Sequence, residues 1–231
     1  MNKFIQAIKD LDVQLVEQII AKEPKWLQWS EKDGKNALHY LGGVEIAKHP
    51  AEADDSLAIL KLLLEKGMDK NSIHRIEEKN CNFFPATPLW YAYTRGRNEK
   101  LYTYLLKIGA DPENCMYAIA WYDDAKAAQL FKDHVAKTDH ASAGDTPFMA
   151  AYNWKRLNAA RWFLENGADV NFADGKGNTV LWYAVKRKHP DEQIKMLLQF
   201  GADPDKANKE GISPRKLAEL NRQKKILSLL G

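Results

Sequence analysis

The sequence predicts an all-α solenoid of stacked helix pairs, and three observations carry that prediction. The tetrad Leu-Trp-Tyr-Ala occurs twice, as Leu89–Ala92 and Leu181–Ala184. Each copy opens a longer unit: Gly109 follows Thr87 by 22 residues, and Gly201 follows Thr179 by the same 22. The unit recurs from Thr146, so the starts at Thr146, Thr179 and Ser213 fall 33 and then 34 residues apart. Self-similarity at such a period marks a chain whose units bury their apolar faces only against each other.

Local chemistry assigns the elements within a unit. Thr87 and Thr146 are suited to cap a helix N-terminus, with Pro88, Pro147 and Pro214 at the first helical position, where the missing N–H is not needed. The second helix then ends at Gly67, Gly109, Gly167 or Gly201, where glycine adopts a left-handed conformation at no steric cost. Leu89, Ala92, Leu181 and Ala184 are core positions of first helices. At the start of the chain, Phe4, Ile8, Leu11, Leu15 and Ile19 recur at helical spacing and form a first helix pair.

These residues and spacings, T-P-L-H-x-A followed by G-A-D-x-N, resemble the ankyrin-repeat family from end to end. The resemblance implies one ankyrin-repeat domain over 1–231, of six to seven units: a capping unit at 1–35, repeats from 36, 87, 115, 146 and 179, and a C-terminal cap at 213–231. Two interior units depart from the pattern. About nine extra residues separate Asn36 from Gly67, within GVEIAKHPAEADDS, and offer a candidate contact loop beside the alternative of tolerated surface length. The unit from Cys115 lacks both motifs, and the long stretch before Thr87 places Phe83 and Phe84 at a loop tip.

Composition narrows the function. The net charge of +3 proposes no polyanion partner by itself, although Lys206, Lys209, Arg215, Lys216, Arg222, Lys224 and Lys225 crowd the C-terminal end. A solvated end cap and a nucleic-acid or other polyanion patch are the two readings of that crowding. Cys81 and Cys115 form no CxxC pair and fit reduced thiols in a cytoplasm. The first 20 residues read as neither a signal peptide nor a membrane helix, so no membrane role is expected.

Catalytic and metal motifs are not found. The group Asp133, His134, Asp139 and His140 lacks ligand spacing, and DGKGNT at Asp174 to Thr179 lacks the strand, earlier glycine and Lys-Ser/Thr ending of a phosphate loop. The chain therefore reads as a non-enzyme without metal or cofactor. The resemblance also gives His39 a bracing role between loops.

By the same resemblance the partner is a protein, held by hairpin tips and first helices, with the free chain a monomer. The positions carried over are Lys32, Asp33 and Lys35; Phe83, Phe84, Thr94 and Arg95; Tyr122 and Asp123; Ser142, Asp145, Asn153 and Trp154; and Lys176, Asn178, Lys186 and Arg187. Aromatic and arginine side chains are enriched at interface hot spots, which singles out Trp154. Adaptor, effector and inhibitor of the bacterial immunity type are the roles the resemblance leaves open.

Overall fold

The structure, a computed structural model, describes residues 2–78, 83–132 and 144–231. The chain divides into two compact units, Met1–Cys115 and Met116–Gly231.

The first unit holds α1 (Lys3–Lys9), α2 (Val13–Lys22), α3 (Ala37–Gly42), α4 (Ala53–Glu65), β1 (His74–Glu77), β2 (Phe83–Ala86), α5 (Pro88–Thr94) and α6 (Glu99–Lys107). Helix α3 packs between α1 and α5, and α4 packs between α2 and α6. First helices thus form one row and second helices another, the layering of a helical-repeat solenoid. The strands pair antiparallel, with His74 opposite Ala86 and Glu77 opposite Phe83. The pair is a hairpin between repeats of an otherwise helical unit: Phe83 and Phe84, expected at a loop tip, lie in a paired strand, and their side chains take opposite faces of it.

The second unit holds α7 (Glu113–Tyr122), α8 (Ala125–Ala128), α9 (Pro147–Asn153), α10 (Leu157–Glu165), α11 (Val180–Lys186), α12 (Asp191–Gln199), α13 (Pro214–Leu220) and α14 (Lys224–Leu230), with α7 starting just before the division. Helix α11 contacts α9 and α13, α8 contacts α10, and α14 contacts α12. The irregular unit from Cys115 also holds two helices, the second α-helical over Ala125–Ala128.

Caps explain why each first helix begins where it does. The side chains of Asn36, Thr87, Thr146, Thr179 and Ser213 each accept a hydrogen bond from a backbone N–H in the first turn. Each satisfies a donor the helix leaves unpaired, worth about 1 kcal/mol. The core then closes on the repeat positions: Leu89, Ala92, Leu181 and Ala184 are fully buried, as are Phe148 and Phe163.

The second-helix exits at Gly67, Gly109, Gly167 and Gly201 have φ between +73° and +93°. At Gly167 and Gly201 an added Cβ would meet nothing within 4 Å, so the penalty of a side chain there is purely conformational. Gly167→Val and Gly201→Val are each expected to lower stability by about 1 kcal/mol or more. Urea unfolding measures this, and unchanged midpoints in both variants would contradict the exit geometry.

Candidate partner-binding surface

In the first unit, the residues between repeats build a braced hairpin base. The backbone turns at Glu31 to Lys35, with the Lys35 carbonyl accepting from the Glu31 N–H at 2.8 Å, and this leaves Lys32 exposed. Asp33 is half-buried and accepts from His74 Nε2 at 3.0 Å, while His74 Nδ1 lies 2.7 Å from the Tyr91 hydroxyl. Burial raises the Tyr91 pKa, so the phenol keeps its proton at neutral pH. The Asp33–His74–Tyr91 chain therefore ties strand β1 to the preceding turn and to α5, and Tyr91 is only 8% exposed.

His39 completes this brace and occupies the position the resemblance assigned it. Its Nε2 lies 3.1 Å from the Ser72 carbonyl and 3.2 Å from the Ala86 carbonyl, and the side chain is fully buried. Burial disfavours the imidazolium and holds the pKa at about 4, against an ordinary 6.5. Because the folded pKa is depressed, this group adds no pH dependence above about 6.5. As pH falls from there towards about 4, the unfolded chain takes up a proton that the folded chain excludes, and stability declines. Thermal melts should accordingly show a steeper loss across that window in the wild type than in His39→Asn. Equal slopes would show that His39 is not held neutral by the fold.

Phe83 is 47% exposed with the Arg75 guanidinium 5.1 Å above its ring. Phe84 turns to the other side and packs against Trp90, ring centres 5.0 Å apart. Arg95, exposed at the end of α5, covers Trp90 at 5.5 Å. Thr94 is buried, and its hydroxyl donates to the Trp90 carbonyl at 2.7 Å, which removes it from the exposed set.

The second unit repeats the brace with other chemistry. The Tyr183 hydroxyl donates to Asp174 at 2.6 Å, and Asp174 also accepts from the Lys176 and Asn178 N–H groups. Burial pushes the Asp174 carboxyl up, but these hydrogen bonds outweigh it and hold the pKa below the usual range. DGKGNT is thus a hairpin turn closed by its own aspartate. Asn178, expected at the surface, is buried instead: its amide accepts from Asn208 at 2.8 Å because an unpaired buried amide would be costly. Lys176 stays exposed at the turn.

Exposed side chains gather where the first helices end. Trp154 caps the C-terminus of α9 and is 41% exposed; Trp121, near the end of α7, is 53% exposed. Their rings meet edge to face at 5.2 Å, and the Arg156 guanidinium lies 5.9 Å from Trp121. Tyr122 beside them is also exposed. Asp123 is half-buried and caps α10, accepting from the Ala159 N–H at 2.8 Å and the Asn158 amide at 2.9 Å. Asn153 accepts from Arg187 at 2.9 Å, Arg187 covers Tyr183 at 4.9 Å, and Lys186 covers Trp182 at 4.8 Å. Asp145 is half-buried, with burial and the Asp174 charge raising its pKa. Ser142, together with Cys81 and the group from Asp133 to His140, lies outside the described residues. Trp121 was not among the expected positions, although the doublet Trp121-Tyr122 before Asp123 signals it.

Three overlapping matches to a family model for ankyrin repeats cover residues 51–174, 115–208 and 148–231. The chain belongs to the ankyrin-repeat family. Human ankyrin repeat domain-containing protein 63 is 40% identical over 78 residues, 32% of this chain and 20% of its own length. The phosphocholine transferase AnkX of Legionella pneumophila is 29% identical over 144 residues, 57% of this chain and 14% of that enzyme. The matched part therefore spans a fifth or less of these relatives. The ankyrin-repeat domain of Bcl-3, described as a unique member of the IkappaB family, shares the fold with a TM-score of 0.74 and 17% identity, over 100% of this chain and 98% of that one. Ankyrin repeats are general protein-interaction modules, and among the described residues no helix is long and apolar enough to cross a membrane.

The basic end of this ankyrin chain is largely engaged with the protein itself. Lys206 and Lys209 donate to the Asn171 and Gly175 carbonyls, Arg215 pairs with Asp205 at 2.8 Å, and Lys225 pairs with Asp191 at 2.7 Å. These contacts tie the C-terminal cap to its neighbours, which favours the end-cap reading over a polyanion patch.

Proposed function

We propose that this ankyrin-repeat chain is a non-catalytic binding module that grips a protein partner with the ends of its first helices, acting as an inhibitor or adaptor in the cytoplasm. The observation that carries the reading is the Trp121–Trp154 pair, two large rings in contact with each other yet each about half exposed. Rigid aromatics beside an arginine bury much area on binding while few rotamers are lost. Lys186 and Arg187 extend the candidate surface within the second unit; Lys32 and Phe83 are candidate contacts of the first unit by itself.

Non-catalysis is supported by where the titratable groups point. The Asp33–His74–Tyr91 and Asp174–Tyr183 contacts are internal braces whose phenols keep their protons. Burial raises the Cys115 pKa strongly, which leaves that thiol protonated and inert and suits a reducing compartment. In this reading the module needs neither metal nor cofactor and is monomeric when free.

Affinity capture with the wild-type chain, compared with Trp121→Ala/Trp154→Ala, tests the proposal. A protein captured by the wild type and by Arg222→Glu/Lys224→Glu, but lost from the tryptophan variant, supports it. Equal capture by all three chains would overturn the assignment of the tryptophan pair.

A further inference from the structure

A second feature, confined to the first unit, names a ligand chemistry. Between the C-terminal ends of α1, α3 and α5 lies an open groove of about 600 Å³. Lys9, Lys35, Lys48 and Arg95 line it, and its one carboxylate, Glu45, pairs with Lys48 at 2.6 Å, which leaves an excess of three cations. Its floor is aromatic. The ammonium groups of Lys9 and Lys35 both lie within 5 Å of the centre of the Tyr40 ring, and Lys35 is also 5.7 Å from that of Tyr91.

The extra residues of the second repeat form one wall. Two short 3-10 turns, Ile46–Lys48 and Pro50–Glu52, fold back before α4. The Ile46 N–H donates to the Gly96 carbonyl at 3.0 Å and fastens this wall to the turn after α5. Gly96 is required there, because an added Cβ would sit 2.2 Å from the Gly42 carbonyl oxygen. The insertion is thus built into the groove and supplies Val44, Glu45, Lys48 and His49 to it.

Helix ends and one ion pair account for three of these cations and leave Lys35. Lys9 and Arg95 offset the negative C-terminal ends of α1 and α5. Lys35 precedes the N-cap of α3, where a cation opposes the helix dipole, and it forms no ion pair among the described residues. The nearby carboxylates Glu31 and Asp33 are engaged with the Tyr40 hydroxyl and with His74. Burial and the Glu31 hydrogen bond push the Tyr40 pKa up to about 12, so the phenol remains a neutral ring beneath the two lysines.

We infer that this groove receives an extended, glutamate- and aspartate-rich segment of a protein partner. Spaced single carboxylates match cations spread along a groove. A phosphate dianion is recognised by converging N–H groups at a helix N-terminus or by paired arginines, and this groove offers helix C-terminal ends and one arginine. The inference rests on the protein-binding reading and deepens it, at a surface separate from the tryptophan pair.

The probe is a short, end-blocked, fluorescein-labelled peptide of alternating Glu and Gly, measured beside its Gln counterpart by anisotropy at low and physiological salt. Saturable binding of the Glu peptide alone is expected, weakened about tenfold or more by Lys35→Glu/Arg95→Glu. Arg222→Glu/Lys224→Glu, with the same change in net charge, should bind as the wild type does. Circular dichroism and thermal melts establish that each variant is folded, and Lys35→Gln/Arg95→Gln provides a milder pair should charge reversal unfold the chain. Equal binding of the Gln peptide, no loss in the groove variants, or a short DNA duplex displacing the peptide at lower concentration than unlabelled peptide would each overturn the inference. Trp121→Ala/Trp154→Ala should keep peptide binding. Failure of the peptide with partner capture intact therefore removes the groove alone, and failure of capture with peptide binding intact removes the tryptophan surface alone.

Discussion

Trp182→Ala is expected to lose about 3 to 5 kcal/mol of stability, the range for deleting a buried large aromatic from a core. Trp182 is 6% exposed, with the Tyr183 ring edge-on at 5.2 Å and the Lys186 ammonium 4.8 Å from its ring. Its indole N–H has no hydrogen-bond partner among the described residues. That orphan donor separates two variants. Trp182→Phe keeps most of the apolar area and removes the unpaired group, so it should cost under about 1.5 kcal/mol. The other copy of the tetrad behaves differently. Trp90 is half-buried between Phe84 and Arg95, and Trp90→Ala should cost only about 1 to 2 kcal/mol. Urea titration of the three variants measures all of this. Equal losses for Trp90→Ala and Trp182→Ala would mean that the two tetrads share one environment, contrary to the burial described.

Those tetrads also mark how far sequence reaches. Leu89, Ala92, Leu181 and Ala184 were legible as core because they follow helical spacing, and the capping Thr and exit Gly positions were legible because each answers a local backbone requirement. The indoles were not equally legible. Whether Trp90 is covered depends on strand β2, and the stretch containing β2 reads as a loop because Phe83 and Phe84 stand together without alternation and Pro85 follows. Transferring surface positions by register fixed where a residue sits and left open which way it turns. Thr94 and Asn178 occupy expected positions yet turn inward, Thr94 to a carbonyl of its own helix and Asn178 to Asn208 from the next turn. Trp121 lies in a unit without Thr-Pro, so no motif fixes the register of its first helix to within one residue. The basic groove needed tertiary structure: Lys9, Lys35, Tyr40 and Lys48 come from separate segments, and only the packing of α1, α3 and the insertion brings them together.

Trp154→Ala is expected to weaken binding of the captured partner by about 2 kcal/mol, roughly 30-fold, while shifting the melting temperature little. The ring is 41% exposed at a helix C-cap, so its truncation leaves no cavity in the core, and the expected structural loss is confined to its contact with Trp121. The same contact makes the pair testable as a unit. Edge-to-face rings at this distance interact by about 0.5 to 1.5 kcal/mol, so the effects of Trp121→Ala and Trp154→Ala on stability should fail to add by a similar amount. A double-mutant cycle on urea unfolding reads this directly. The same cycle on calorimetric titration reads how far the partner changes the coupling, and strict additivity there would mean that the ring contact is the same in the free and bound chain. Unchanged affinity in both single variants would place the partner elsewhere on the chain. Unfolding of either would mean that the rings are supporting the ends of α7 and α9, and that half-exposure at this site reflects incomplete burial of a structural pair.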